Sequence, residues 1–406
     1  MLPQKVLAEI KTNRQRYVAE LTDFLRIPSV STDSEYAENT RQSAEWVVNK
    51  LKKLGFKTEL RETAGHPVVC GHLVSDANLP TLLIYGHYDV QPPDPMDEWV
   101  TPPFSPDIRD GYIYARGATD NKGQCLTYLE AMEAILAVNG KLPLNVKVLV
   151  EGEEEIGSPN LGPFLQANLD ELKTDVIAIS DGSQFAPDIP AITYGLRGLS
   201  YLEVGVKGPR FDLHSGSFGG LVANPVQVLA EMLAQLKNED GTVAIPDFYD
   251  DVRELEPRER QEMADLPVDE VALKKYLGVD QLVGEPDCST VERKTARPTL
   301  DVNGIWGGFA GEGAKTIIPA KAGAKVSMRL VPDQRAATIN ELFKNFVYSI
   351  APAGVTIQIS EMHGSDPVLV ERDQPAVQAA ARAIEFGFGK SPVYIREGGS
   401  IPIVGL

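Results

Sequence analysis

The stretch TLLIYGHYDV, residues 81–90, runs from apolar and β-branched residues into a histidine and an aspartate. Two later runs repeat that design, LNVKVLVEGEE over 144–154 and TDVIAISDG over 174–182. Each reads as a buried strand that ends in acidic residues or histidine. Helical stretches lie between them. In GQCLTYLEAMEAILAVNG, residues Leu126, Leu129, Met132 and Leu136 share one face and Asn139-Gly140 supplies the stop. Strands alternating with helices predict an α/β fold, a mixed but mainly parallel sheet flanked by helices. Ligands of such sheets bind beyond the carboxyl ends of the strands, where His87, Asp89, Glu153, Glu154, Glu155 and Asp181 are expected.

The pattern changes after TYGLRG. A strand LSYLEVGVKG, a helix near ANPVQVLAEMLAQLKN and a polar, proline-containing insertion are followed by TIIPAKAGAKVSMRLVP, ATINELFKNFVYSI and GVTIQIS. The order reads as the split β-α-β-β-α-β arrangement, an α+β ferredoxin-like domain. It is expected to occupy residues 195–365, inserted into a first domain made of 1–194 and 366–406. The last strand, SPVYIREGG, is expected to return to the first sheet.

Composition narrows the function. A formal charge of -18 disfavours nucleic acid and anionic membranes as partners. No stretch of 18 apolar residues occurs, and the N-terminus lacks an apolar leader core, so a cytoplasmic protein without a membrane span is expected. The three cysteines, Cys70, Cys125 and Cys288, are odd in number and far apart, which fits a reducing compartment rather than a disulfide framework.

Several residues could carry chemistry. His87 and Asp89, two apart at a strand end, leave the same face; alone, such a pair is more often a hydrogen-bonded surface couple than a metal site. Asp120 in ARGATDNKGQ precedes a helix and could simply cap it. EGEEEIGS, 151–158, crowds four carboxylates into five positions, which repel unless a cation compensates; an acidic solvated loop is the alternative. Asp181 repeats the placement on a third strand. Two divalent ions sharing a bridging carboxylate, with a base to take a proton from water, would explain the set. One histidine and several carboxylates suit zinc, or manganese or cobalt, with Asp89 orienting the histidine rather than coordinating.

Together GHYDVQP, ARGATDNKG, EGEEEIGS, ISDGS and ITYGLRG resemble the motifs of the zinc-dependent exopeptidase family of carnosine-type dipeptidases, aminoacylases, bacterial glutamate carboxypeptidase, acetylornithine deacetylase and succinyl-diaminopimelate desuccinylase. GHYDVQP, TDNKG and DLHSGSFGG are nearest the dipeptidase branch. The resemblance implies that His87 and Asp181 hold one metal, Glu155 the other, that Asp120 bridges them, and that Glu154 is the general base. It implies that the inserted domain is a dimerisation (lid) domain. His214 in PRFDLHSGSFGG would then reach across a homodimer to bind the oxyanion. Arg329 and Thr316 would bind the substrate carboxylate, with His363, Gly399 and Ser400 as further contacts. It also places a last histidine ligand downstream of EGGSIP. None of His66, His72, His87, His214 and His363 lies there, so the second metal site is expected to be incomplete and the chain to lack its C-terminal end.

The activity implied is hydrolysis of the amide bond of dipeptides or short peptides by a water that Glu154 activates. An N-acyl amino acid deacylase or desuccinylase would use the same metals. A non-catalytic metal-binding homologue is the reading from another class. A nucleotide-binding α/β protein is disfavoured because no strand leads through a phosphate-cradling glycine pattern into a helix.

Overall fold

The computed structural model describes residues 2–179 and 181–405. They divide into two compact units, Met1–Gln184 with Arg382–Gly389 and Phe185–Ala381 with Lys390–Gly405.

The first unit is built on a five-stranded sheet in the order Lys57–Arg61, Val68–Leu73, Asn145–Glu151, Thr81–His87, Val176–Ile179. The first two pairings are antiparallel; Thr81–His87 is parallel to both of its neighbours. Its last five residues are all buried, as an apolar run between two parallel strands should be. Helices Leu2–Leu25, Ala37–Lys53 and Lys122–Asn139 supply Phe24, Val47, Leu51, Leu126 and Leu129 to the same core as Ile84, Val148 and Val150. Phe24 stacks on Trp46 with ring centroids 4.3 Å apart. Gly140 stops Lys122–Asn139 in the left-handed region, φ 72°, where a side chain would be strained.

The second unit contains a four-stranded antiparallel sheet in the order Thr299–Gly307, Lys321–Leu330, Gly198–Lys207, Thr356–Ser365. Along Gly198–Lys207 burial alternates residue by residue, so Leu202, Val204 and Val206 face Leu229 and Met232 of helix Pro225–Ala234 and Ile339, Phe343 and Val347 of helix Ala336–Ser349. Strand and helix order is that of the split β-α-β-β-α-β motif. Its second strand, Thr299–Gly307, begins just beyond the polar insertion, whose own helices are Pro257–Ala264, Glu270–Leu277 and Thr290–Thr295.

The tail strand departs from expectation. Val393–Glu397 does not join the first sheet but runs parallel to Ala191–Leu196, which pairs on its other side with Val368–Leu369. The alternating pattern of SPVYIREGG suits any half-buried strand. Its Arg396, a buried cation, pairs with Glu259 of helix Pro257–Ala264 and reaches the hydroxyl of Tyr194 on the partner strand at 3.4 Å. Among the described residues no helix is long and apolar enough to cross a membrane.

Candidate metal centre and basic cluster

His87 ends the middle of the three parallel strands and is fully buried. Its Nδ1 lies 3.1 Å from the Asp89 carbonyl and 3.2 Å from Asp89 Oδ1. Asp89 is itself held: its Oδ2 accepts from Ser31 Oγ at 2.7 Å and from the Glu155 amide at 3.1 Å. With its proton engaged at Nδ1, the neutral ring presents a lone pair at Nε2. That nitrogen is buried without a hydrogen-bond partner, yet it stands 3.2 Å from Asp120 Oδ1 and 3.7 Å from Asp181 Oδ1. A buried lone pair facing two carboxylate oxygens is repulsive until a cation lies between them. The imidazole registers this. Burial pulls its pKa down, but Asp120, Asp181 and Asp89 carry it well above the ordinary histidine value. The ligand atoms of His87, Asp120 and Asp181 all lie within 4.8 Å of one another, so the donor set fits a divalent ion.

Asp120 is not spent on capping. The N-cap of helix Lys122–Asn139 is Asn121, which makes no side-chain cap bond. Asn121 is buried and buttresses the centre, donating from Nδ2 to Asp181 Oδ1 at 3.0 Å and accepting the His87 amide at 3.4 Å. A Cβ at Gly86 would come within 3.0 Å of its Oδ1, which accounts for a glycine just before the histidine. Lys122, also buried, donates to the carbonyls of Phe24 at 3.2 Å and Ile27 at 2.6 Å, tying this turn to the end of the first helix.

The four carboxylates of EGEEEIGS have separate tasks. Glu151 accepts from Tyr85 Oη at 2.6 Å and Ser158 Oγ at 2.8 Å inside the sheet. Glu153 accepts from the His66 amide at 3.0 Å and from the Asn160 amide at 3.2 Å, and a Cβ at Gly65 would sit 1.7 Å from its Oε1. Glu154 and Glu155 remain on the one-turn helix Glu154–Ile156, which Gly157 closes at φ 85°. Gln91 Nε2 donates to Glu155 Oε2 at 2.7 Å. Burial, then the charge of Asp120, pushes Glu155 up to about 7. Burial pushes Glu154 up to about 8; Asp181, Glu155 and Asp89 add to this and His87 opposes it. Such elevation marks uncompensated negative charge that a bound cation would relieve. Glu155 lies outside the compact group of three.

In the second unit the expected substrate contacts form two pairs. His214 Nδ1 accepts from the Gly216 amide at 3.1 Å, so the neutral ring donates from Nε2 to Thr316 Oγ1 at 3.1 Å. Arg329 Nη1 donates to Ser400 Oγ at 2.9 Å. His363 packs edge-on against Tyr201, centroids 5.0 Å apart, and burial, then the Arg329 charge, lowers its pKa. A Cβ at Gly399 would meet nothing within 4 Å.

The sequence reading passed over Ser31, Gln91 and Asn121. Gln91 and Asn121 stand inside the quoted motifs GHYDVQP and ARGATDNKG, but no spacing rule marks an amide as a buttress. Ser31 has no motif and is recruited only by the fold.

A family model described as peptidase family M20/M25/M40 matches residues 83–403. A Cys-Gly metallodipeptidase of Schizosaccharomyces pombe is 34% identical over 98% of this chain and 87% of its own length. Among solved structures, human carnosine dipeptidase 1 is 31% identical with a TM-score of 0.85, covering 100% of this chain and 89% of that one. An M20 family metallo-carboxypeptidase from Sulfolobus solfataricus is 37% identical with a TM-score of 0.85, covering 95% and 87%.

Proposed function

The chain belongs to peptidase family M20/M25/M40 and is a metallopeptidase, and from that premise we propose that it hydrolyses the amide bond of dipeptides and short peptides with Glu154 as the base. The observation that carries the reading is the buried His87 Nε2, free of hydrogen bonds and facing the oxygens of Asp120 and Asp181. The names of the relatives, a Cys-Gly dipeptidase and a carnosine dipeptidase, support dipeptides over N-acyl amino acids as substrates.

His87 and Asp181 would hold one divalent ion, Glu155 a second, and Asp120 both, with zinc best suited to the mixed nitrogen and oxygen donors. Bound there, such ions supply Lewis acidity to the scissile carbonyl and to water. The remaining chemistry belongs to the protein. Glu154 takes a proton from the attacking water as oxygen adds to the carbonyl carbon, and returns it to the amine nitrogen as the C–N bond breaks. Asp89 keeps the imidazole proton on Nδ1 and the ring in place. Dialysis against a chelator is expected to abolish turnover and lower the Tm, with zinc restoring both; metal present at about a thousand times its Kd would stabilise by about 4 kcal/mol. An unchanged Tm and unchanged activity after complete metal removal would overturn the centre.

Residues 195–365 would serve as the dimerisation (lid) domain of a cytoplasmic homodimer, with His214 completing the partner's site as an oxyanion donor. The Gly216 amide on its Nδ1 supports this by leaving the ring proton on Nε2. Arg329 would bind the substrate carboxylate, with Thr316, His363, Gly399 and Ser400 around it, because a guanidinium matches a carboxylate bidentately. His214→Ala is expected to lower kcat by about 10²- to 10³-fold, the usual cost of an oxyanion donor, at unchanged metal content. Mixed dimers of His214→Ala with Glu154→Gln subunits should recover activity in one of their two sites. Failure to recover any would remove the cross-subunit role.

A further inference from the structure

Arg197, between strands Ala191–Leu196 and Gly198–Lys207, belongs to no expected site, yet four hydrogen bonds converge on it. Its amide donates to the Glu397 carbonyl at 3.3 Å, its Nε to the Gly398 carbonyl at 3.0 Å and its Nη1 to the Arg297 carbonyl at 3.4 Å. Its own carbonyl accepts from Ser400 Oγ at 2.6 Å. The single proton of Ser400 is therefore committed to Arg197, and the same oxygen accepts from Arg329 Nη1 at 2.9 Å. Fit is close as well: a Cβ on Gly398 would lie 2.8 Å from Arg197 Nη2 and 2.7 Å from the Lys294 carbonyl.

Charge gives this junction a direction. Burial, then the neighbouring Arg329, lowers the Arg197 guanidinium to about 10, and burial lowers Arg329 too. Every bond that Arg197 donates goes to a neutral carbonyl, and the bond from Arg329 goes to a hydroxyl. Ser400 Oγ joins the Arg329 guanidinium to the backbone carbonyl of Arg197, while Asp301 only partly offsets the lowering at both guanidiniums, so an incoming anion is favoured beside them.

We propose that Arg197 is a positioning residue for carboxylate recognition: its guanidinium and amide hold the turn 397–400, and so fix Ser400, through which Arg329 is aimed at one substrate carboxylate. This rests on the reading of Arg329 as the carboxylate-binding group.

The test compares kcat/KM for a dipeptide with that for the same dipeptide carrying a C-terminal amide. Arg197→Met is expected to reduce the ratio about tenfold, equivalent to about 1.4 kcal/mol, mainly through KM of the free acid. Arg197→Lys, which keeps the charge but loses the fork, should fall between. A merely structural role would lower both rates together and leave the ratio at the parent value, and that result overturns the proposal. If Arg197→Met does not fold, Arg197→Lys decides: a reduced ratio supports the proposal and a parental ratio overturns it. Arg329→Met separates the two readings. A parental ratio there would refute the role of Arg329 itself, whereas a collapsed ratio beside a parental one for Arg197→Met refutes only the inference about Arg197.

Discussion

Glu154→Gln is expected to reduce kcat by roughly 10²- to 10⁴-fold, the range attributable to a general acid or base, while the metal content per chain stays that of the parent. The substitution preserves shape and removes only the ability to take a proton. Glu154 is the member of the acidic run whose carboxylate accepts no hydrogen bond among the described residues, whereas Glu151 is held by Tyr85 and Ser158, Glu153 by His66 and Asn160, and Glu155 by Gln91. Glu153→Gln makes the contrast: it should cost about 1–3 kcal/mol of stability through disturbed buried hydrogen bonds and leave metal binding intact. Steady-state kinetics with elemental analysis of both variants reads the difference. Parental turnover in Glu154→Gln would sink the assignment of the base.

His87→Ala should remove a metal altogether and bring turnover below detection. The imidazole is the one nitrogen donor of the compact group, and deleting it leaves Asp120 and Asp181 facing each other across a void. Asp89→Asn keeps the main-chain carbonyl that His87 Nδ1 meets and removes the carboxylate charge beside it, so it is expected to act more gently, weakening metal affinity about 10- to 100-fold, the typical effect of altering the group behind a ligating histidine. Competition against a chromogenic chelator measures both. A His87→Ala protein with the parent's metal stoichiometry and affinity would show that the ion sits elsewhere.

The elements with strong periodicity are legible in the sequence. Apolar runs located Thr81–His87, Asn145–Glu151 and Val176–Ile179, and the spacing of Leu126, Leu129, Met132 and Leu136 located the helix that Gly140 ends. Lys57–Arg61 and Thr299–Gly307 were not legible, because lysine, arginine, asparagine and glycine interrupt their apolar pattern and pairing alone makes them strands. The tail is a strand as its pattern says, but its partner is not the one expected, since the contacts of Arg396 with Glu259 and Tyr194 join residues far apart in the chain. At the metal centre, motifs brought His87, Asp120 and Asp181 forward. The resemblance singled out Glu154 and Glu155 among the four glutamates, but spacing alone could not, because which of them are engaged depends on Tyr85, His66 and Asn160, none of which carries a signature of its own.

The order of strands in the first sheet has a consequence for biosynthesis. Thr81–His87 leaves the ribosome before either strand that will flank it, and Asp181 follows the edge strand Val176–Ile179, the last of the three to be made. At about 5–20 residues per second, seconds separate translation of the histidine from that of its distal carboxylate. A site that needs all three donors therefore has no complete cradle before Asp181 is made. A nascent chain stalled before residue 176 is expected to carry no tightly held ion, and one released past Asp181 to be able to take it up.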